Sequence, residues 1–132
     1  KRLFYSYGPT NSFEIVNNQE IKLINQKKKN INLITAVTYS SELKPDILKL
    51  HKHFKVNKYQ KMKSSLKFCV VATGEFDLYI AEPRAHEWDI AAGHAIFEHA
   101  GGILTDFNGR EVLYGKKDFK NTSIILKGKY IS

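Results

Sequence analysis

The sequence predicts an α/β domain in which helices and strands form layers. Three observations support this fold class: a length of 132 residues, a hydrophobic content of 42% with 12% aromatic residues, and an alternation of helix-like and strand-like patterns through the second half. The length suffices for one hydrophobic core and is too short for two ordinary ones. No internal repeat or linker divides the sequence, so residues 1–132 are expected to form a single domain.

In the first third of the chain, alternating apolar residues and turn-forming residues predict short strands. Gly8-Pro9-Thr10-Asn11 has the composition of a tight turn, so the strands on either side of it should form a hairpin. Residues 26–30 include three consecutive lysines and predict a solvated loop. The strands predicted here cover residues 3–7, 12–17, 19–23 and 31–38.

Three helices are predicted from cap residues and from apolar residues at helical spacing. Ser40 or Ser41 is the expected cap of the first helix. Gly101-Gly102 is the expected end of the third, because glycine accepts the left-handed conformation found at such ends. The helices cover residues 40–54, 64–74 and 87–100.

Two histidines of the first helix, His51 and His53, are expected on its polar side and exposed to solvent. Side chains two residues apart on a helix do not share a face. We therefore expect no metal-binding pair of histidines there.

Further strands alternate with these helices, which is why the fold is assigned to the α/β class. Asn108-Gly109 is a strong hairpin signal, so the strands before and after it should pair. The strands predicted in this part cover residues 56–60, 76–81, 103–106, 111–113 and 122–127.

The charge of the chain narrows the classes of partner. The formal net charge is +8 and lysine dominates it. Such a charge fits nucleic acid, a polyanionic small molecule, or simply the lysine-rich composition of an AT-rich coding sequence. Because the lysines are scattered and no RNA- or DNA-binding motif accompanies them, we do not expect a nucleic-acid polymer as partner.

The sequence gives three indications of location. No run approaches the roughly 20 apolar residues that a membrane helix needs, and no signal-peptide pattern opens the chain. The single Cys69 lies in an apolar run and has no second cysteine to pair with. We therefore expect no membrane span and a reduced, buried cysteine in a cytoplasmic protein.

The most informative stretch is Glu87-Trp88-Asp89-Ile90-Ala91-Ala92-Gly93. Asp89 lies in the first turn of the third helix, where a carboxylate is favoured by the helix dipole and can face a cation. The small residues after it allow a backbone or a ligand to approach closely. A structural reading, a buried Trp88 beside an Asp89 cap, explains the same residues equally well.

A series of motifs in fixed order resembles the C-terminal half of the inositol monophosphatase superfamily, and within it the CysQ-like 3'(2'),5'-bisphosphate nucleotidases. The resemblance is tight over residues 64–106 and looser over residues 3–54. It implies a layered sandwich with a mixed central sheet flanked by helices. The motifs are Ser64-Ser65-Leu66-Lys67-Phe68-Cys69, Ala72-Thr73-Gly74, Asp77-Leu78-Tyr79, Glu87-Trp88-Asp89-Ile90-Ala91-Ala92-Gly93-His94-Ala95 and Ala100-Gly101-Gly102.

The resemblance also implies roles for four residues. Asp89 would be a ligand of one of the two or three Mg²⁺ ions that bridge to the scissile phosphate. Ser64 and Lys67 would hold the phosphate that does not react, and Arg84 would contact a phosphate or the base. From the residues alone, Ser64 is equally a helix cap and Lys67 a solvated lysine.

The sequence departs from the family pattern in three places. Ser41 stands where many relatives carry a histidine near the nucleoside, and Ile80-Ala81 replaces a Pro-Arg pair, leaving Arg84 as the nearby arginine. The metal-binding Asp-Pro-x-Asp-Gly-Thr loop of the family is absent from residues 1–132, and Asp77 and Asp106 match structural positions. We therefore expect the C-terminal domain of a two-domain phosphatase, catalytically incomplete without its N-terminal half.

The function implied by the resemblance is hydrolysis of adenosine 3',5'-bisphosphate to AMP and phosphate, in sulfur metabolism or nucleotide salvage. An inositol, sugar or fructose-1,6-bisphosphate phosphatase domain is the alternative within the family. A non-catalytic nucleotide-binding module and a nucleic-acid-binding protein are alternatives from other classes.

Overall fold

The structure, a computed structural model, describes residues 2–24 and 32–131. The predicted loop at residues 26–30 lies outside these ranges. The strands are β1 Leu3–Ser6, β2 Ser12–Val16, β3 Gln19–Lys22, β4 Ile34–Thr38, β5 Val56–Lys61, β6 Leu78–Ala81, β7 Ile103–Thr105 and β8 Ile124–Lys127. The helices are α1 Pro45–His53, α2 Leu66–Ala72 and α3 Glu87–His99, with a short 3₁₀ turn at Lys117–Phe119.

A five-stranded mixed sheet forms the centre, in the order β5-β4-β6-β8-β7. Strand β4 is parallel to β5 and β6, whereas β8 is antiparallel to β6 and β7. The alternation of side chains along each strand sends apolar groups to both faces. On β6, Leu78 and Ile80 join one apolar cluster with Ile47 of α1, while Tyr79 and Ala81 join the other with α2 and α3. The predicted α/β class with a mixed, helix-flanked sheet is confirmed.

Strands β1, β2 and β3 form a second, antiparallel sheet. Phe4 and Leu23 pack into the same apolar cluster as α2 and α3. The buried Ser12 hydroxyl donates a hydrogen bond of 2.7 Å to the Ile96 carbonyl, and Ser6 Oγ lies 2.6 Å from His99 Nδ1. Helix α3 therefore connects the small sheet to the core.

Two predicted boundaries were wrong: the start of the first helix and the extent of the strand that follows the Asn108-Gly109 turn. Helix α1 begins at Pro45, because the Ser40 hydroxyl accepts the N–H of Glu42 in a separate turn ahead of the helix. The Asn108-Gly109 turn forms as predicted, with the Asp106 carboxylate accepting two backbone N–H groups. After that turn, the predicted strand 111–113 is reduced to one bridge, between Thr105 and Glu111.

The prediction that His51 is exposed was also wrong. His51 is only 5% exposed, on the buried side of α1, and its ring meets Tyr59 edge-on with centroids 5.6 Å apart. Its Nε2 atom has no hydrogen-bond partner within the described ranges. Burial lowers the pKa of His51, since the imidazolium form would lose its hydration. His53 is exposed, as expected.

Helices α2 and α3 cross in close contact at Gly93. A Cβ atom placed on Gly93 would lie 2.8 Å from Cβ of Phe68 and 2.9 Å from its Cγ. Phe68 is itself buried, so its ring cannot retreat without disturbing the core. The small residue predicted to allow a close approach thus admits α2.

None of the helices within residues 2–24 and 32–131 is long and apolar enough to cross a membrane.

Replacing Gly93 by alanine tests this helix contact. Alanine has the higher helix propensity and would by itself stabilise the helix by about 1 kcal/mol. We expect the opposite sign, a loss of about 1–3 kcal/mol in the free energy of unfolding, because the new methyl group overpacks against Phe68. Urea unfolding measures it, with Ala92→Ser on the exposed side of α3 as control. A more stable Gly93→Ala protein would disprove the close contact.

The buried imidazole of His51 should make stability depend on pH. The pKa of His51 is lowered in the folded state. Below about pH 6.5 the unfolded chain therefore takes up the proton more readily than the folded one, and the free energy of unfolding decreases as the pH decreases. Burial lowers the pKa of His94 too, so the effect has two sources. In His51→Phe, we expect a smaller loss of unfolding free energy between about pH 7.5 and 5.5. His53→Phe is the control on the same helix, and equal slopes in wild type and His51→Phe would refute the assignment.

Candidate functional site

A cleft of about 410 Å³ opens where the loops after β4 and β6 meet the starts of α2 and α3. The four predicted site residues, Ser64, Lys67, Arg84 and Asp89, all line it. The structure thus brings together side chains that are up to 25 positions apart in sequence. Their binding roles stay predictions.

Lys67 is buried rather than solvated. It is 8% exposed, and its Nζ donates hydrogen bonds to the carbonyls of Ser64 at 2.8 Å and Met62 at 3.3 Å. Its ammonium also lies 5.4 Å from the centre of the Tyr79 ring. Burial lowers the pKa of Lys67, and the charge of Arg84 lowers it further. The reading of Lys67 as a solvated lysine was therefore wrong.

Ser64 precedes α2 in a left-handed conformation, with φ of 69°. Its hydroxyl accepts the N–H of Leu66, the first residue of the helix, at 3.3 Å. The cap residue of α2 is Ser65 rather than Ser64. The Ser64 hydroxyl supports the start of the helix from one position earlier, and Ser64 also lines the cleft.

Asp89 stabilises the start of α3 with one of its two oxygens. Its Oδ2 accepts the backbone N–H of His86 at 2.9 Å, and the Asp89 N–H donates back to the His86 carbonyl at 2.9 Å. The cap residue is thus His86, and Asp89 is the third helical residue. Its Oδ1 has no hydrogen-bond partner among residues 2–24 and 32–131, which leaves an oxygen for a cation.

The structural reading, in which Trp88 is buried, was wrong. Its side chain is 66% exposed and stacks on the imidazole of His86, with ring centroids 4.5 Å apart and planes within 1°. The residues of α3 that face inward begin with Glu87 and Ile90, so the position between them points to solvent. The apolar character of a residue at a helix start does not by itself predict whether its side chain is buried or exposed.

Sequence reasoning missed the carboxylate that holds this helix start. Glu87 is buried, and its oxygens accept the N–H of Gly115 at 2.9 Å and of Lys116 at 3.2 Å, as well as the Lys116 ammonium at 2.5 Å. The Lys116 ammonium holds the pKa of Glu87 below its ordinary value. The partners lie almost thirty residues away, so no local pattern signals them.

Two further cleft residues, Tyr39 and Glu82, were also missed as site residues. Tyr39 directly follows β4 and Glu82 directly follows β6, which are parallel neighbours. The carboxyl ends of parallel strands share one edge of a sheet, the usual place for ligands in α/β folds. That edge is the signal that could have found them.

A divalent metal fits this site only in part. Asp89 offers the hard oxygen that Mg²⁺ prefers. Within the described ranges, however, no group of three or more His, Cys, Asp or Glu side chains could hold a metal ion. Asp89 therefore suits one ligand of a larger set.

Comparison with known proteins identifies the family. The model of the inositol monophosphatase family matches residues 8–131. The chain belongs to this family. Among solved structures, the family member CysQ from Bacteroides thetaiotaomicron superimposes with a TM-score of 0.78 at 24% identity, over 98% of this chain and 54% of that one. A family protein from Staphylococcus aureus gives a TM-score of 0.73 at 20% identity, over 99% of this chain and 48% of that one.

Curated relatives match this inositol monophosphatase family chain over shorter stretches than the solved structures do. It is 42% identical over 71 residues to an uncharacterized protein of Rhizobium leguminosarum, covering 49% of this chain and 75% of that relative. It is 41% identical over 75 residues to the 3'(2'),5'-bisphosphate nucleotidase CysQ of Buchnera aphidicola, covering 57% of this chain and 28% of that relative. The chain thus spans about half the length of the solved structures it matches.

Two substitutions of Asp89 test its structural role at the start of α3. Asp89→Ala removes the acceptor for the His86 N–H, and we expect a loss of about 1 kcal/mol of unfolding free energy. Asp89→Asn keeps an acceptor oxygen and should lose about half as much, mainly through the helix dipole. Thermal unfolding with van't Hoff analysis measures both. Equal losses in the two variants would show that the hydrogen bond does not stabilise the fold.

Proposed function

We propose that this chain is the substrate-binding, C-terminal domain of a Mg²⁺-dependent phosphatase that hydrolyses adenosine 3',5'-bisphosphate to AMP and phosphate. The observation that carries the proposal is that Ser64, Lys67, Arg84 and Asp89 line one cleft. The cleft combines the cations of Lys67 and Arg84 with the carboxylate of Asp89, one oxygen of which is not used at the start of α3. This combination suits a ligand with one phosphate to hold and another to cleave.

Two cations, Lys67 and Arg84, line the same cleft. Burial lowers the pKa of Lys67 and the charge of Arg84 lowers it further, so the two cations repel each other. A phosphate between them relieves this repulsion and forms charge-assisted hydrogen bonds. We assign the phosphate that is not cleaved to Lys67 and Arg84, with the Ser64 hydroxyl beside them.

The relatives support a nucleotide as the substrate. Besides the Buchnera protein, the 3'(2'),5'-bisphosphate nucleotidase of Dictyostelium discoideum is 37% identical over 78 residues, covering 54% of this chain and 24% of that relative. With such a substrate, the protein would act in sulfur metabolism or nucleotide salvage in the cytoplasm, where the unpaired Cys69 stays reduced.

Magnesium would supply the chemistry of phosphate cleavage, by activating water and neutralising charge on the phosphoryl oxygens. Asp89 would hold it through the oxygen that the helix start leaves uncommitted. We propose that the other carboxylates come from an N-terminal domain, since residues 2–24 and 32–131 contain no cluster that could hold the ion. The chain alone would then bind substrate without turning it over.

Direct binding tests the proposed substrate. We expect the chain to bind adenosine 3',5'-bisphosphate more tightly than inositol 1-phosphate in calorimetric titrations, and to release no phosphate at a rate typical of enzymes. Ser64→Ala and Lys67→Met should weaken the nucleotide about tenfold, the effect of losing a charged hydrogen bond. Lys58→Met, which removes an exposed lysine of β5, is the control.

Three results would contradict parts of this proposal. Tighter binding of inositol 1-phosphate would favour the inositol phosphatase alternative. Rapid Mg²⁺-dependent hydrolysis by the chain alone would show that it is catalytically complete. Unchanged activity of Asp89→Asn in a protein that includes the N-terminal domain would remove Asp89 from the metal site.

A further inference from the structure

Arg84 lines the cleft with a long side chain that has many rotamers. It lies on the loop between β6 and α3, and its side chain is 46% exposed, so packing alone does not fix it. Ordering a free arginine on a ligand costs about 2 kcal/mol of rotamer entropy. A site that orders Arg84 before the ligand arrives avoids that cost.

Tyr39 provides a surface for the guanidinium. Cζ of Arg84 lies 3.8 Å from the centre of the Tyr39 ring, which is the distance of a cation–π stack. The ring is partly buried at the end of β4 and belongs to the periphery of the main core cluster. The guanidinium therefore rests on a partly buried ring directly after β4.

Glu82 ties the two groups together. Its Oε2 accepts the Tyr39 hydroxyl at 2.5 Å, and its Oε1 lies 3.6 Å from Nη1 of Arg84 and 3.6 Å from Nζ of Lys44. Burial raises the pKa of Tyr39, and so does its bond to Glu82, so the phenol stays a donor. Burial alone would raise the pKa of Glu82, but the Tyr39 hydrogen bond and the two cations bring it below its ordinary value.

The Glu82–Arg84 distance is informative. At 3.6 Å the two groups attract each other, yet the distance exceeds that of an N–H···O hydrogen bond. The carboxylate therefore orients the guanidinium through its charge, without a hydrogen bond between Oε1 and Nη1. The backbone is held as well, because Asn121 Nδ2 donates to the carbonyls of Arg84 at 3.2 Å and His86 at 3.0 Å.

We propose that Tyr39 and Glu82 are positioning residues that hold Arg84 in one orientation at the cleft, and that they thereby set the preference for a nucleotide with a second, uncleaved phosphate. The inference rests on the proposed function. It assigns to Glu82, an anion inside an anion-binding cleft, a role that simple charge complementarity would not give it.

The experiment compares two nucleotides that differ by that phosphate. Calorimetry gives the affinities of the chain for adenosine 3',5'-bisphosphate and for adenosine 3'-monophosphate, and their ratio measures the preference. In Tyr39→Phe, which removes one hydroxyl without changing charge, we expect the ratio to fall about threefold to tenfold, as for an indirect loss of one charged hydrogen bond. Glu82→Gln should lower the ratio too, although its lost negative charge would by itself favour both anions.

Two controls isolate the effect. Tyr59→Phe removes an exposed tyrosine hydroxyl that donates to the Ser41 carbonyl at 3.2 Å, and it should leave the ratio unchanged. ¹⁵N relaxation of the Arg84 Nε–H group reads the positioning without ligand, and this group should become more mobile in Tyr39→Phe and Glu82→Gln. A change in general stability would not loosen this one side chain.

The outcomes separate the two proposals. If Arg84→Ala lowers the ratio while Tyr39→Phe and Glu82→Gln do not, the positioning role is overturned and the proposed function stands. If the Arg84 Nε–H group is equally mobile in the wild type and both variants, positioning is overturned directly. If the wild-type chain binds neither nucleotide, the proposed function fails, and the preference inferred from it fails with it.

Discussion

The site depends on the contact between α2 and α3 at Gly93 and Phe68. The two helices meet at Gly93 with no space for a single extra carbon atom, so steric repulsion sets how closely they approach there. Phe68 follows Lys67 directly, and Gly93 lies one helical turn after Asp89. The contact between Phe68 and Gly93 therefore also sets the separation between Lys67 and Asp89 at the starts of the two helices. A change in this contact would alter the cleft.

Buried polar groups extend this order to the loops around the cleft. Glu87 gathers three donors from Gly115 and Lys116, and Asn121 donates to two carbonyls of the loop that carries Arg84. A buried carboxylate or amide is costly unless its partners are in place, so each of these groups penalises alternative loop positions. These hydrogen bonds hold the loops around the cleft in one position.

Much of the fold and part of the site follow from local sequence patterns. The strands around Val37 and Ile80, the three helices and the turn at Gly109 were predictable because periodicity and turn chemistry act within a few residues. Family motifs predicted Ser64, Lys67, Arg84 and Asp89 as site residues, and the structure places these four residues along one cleft. The directions of individual side chains were not predictable, because burial of His51 and exposure of Trp88 depend on which helix face meets the sheet. Nor were Tyr39 and Glu82, whose association requires two strands to become neighbours first.

The exposed stack of Trp88 on His86 places a fluorescent side chain at the start of α3. Trp88 is the sole tryptophan in the sequence. It stacks on the ring of His86, whose backbone N–H donates to the Asp89 carboxylate. Because Trp88 directly precedes Asp89 in the first turn of α3, the intrinsic fluorescence of the protein reports on the start of this helix without any added label.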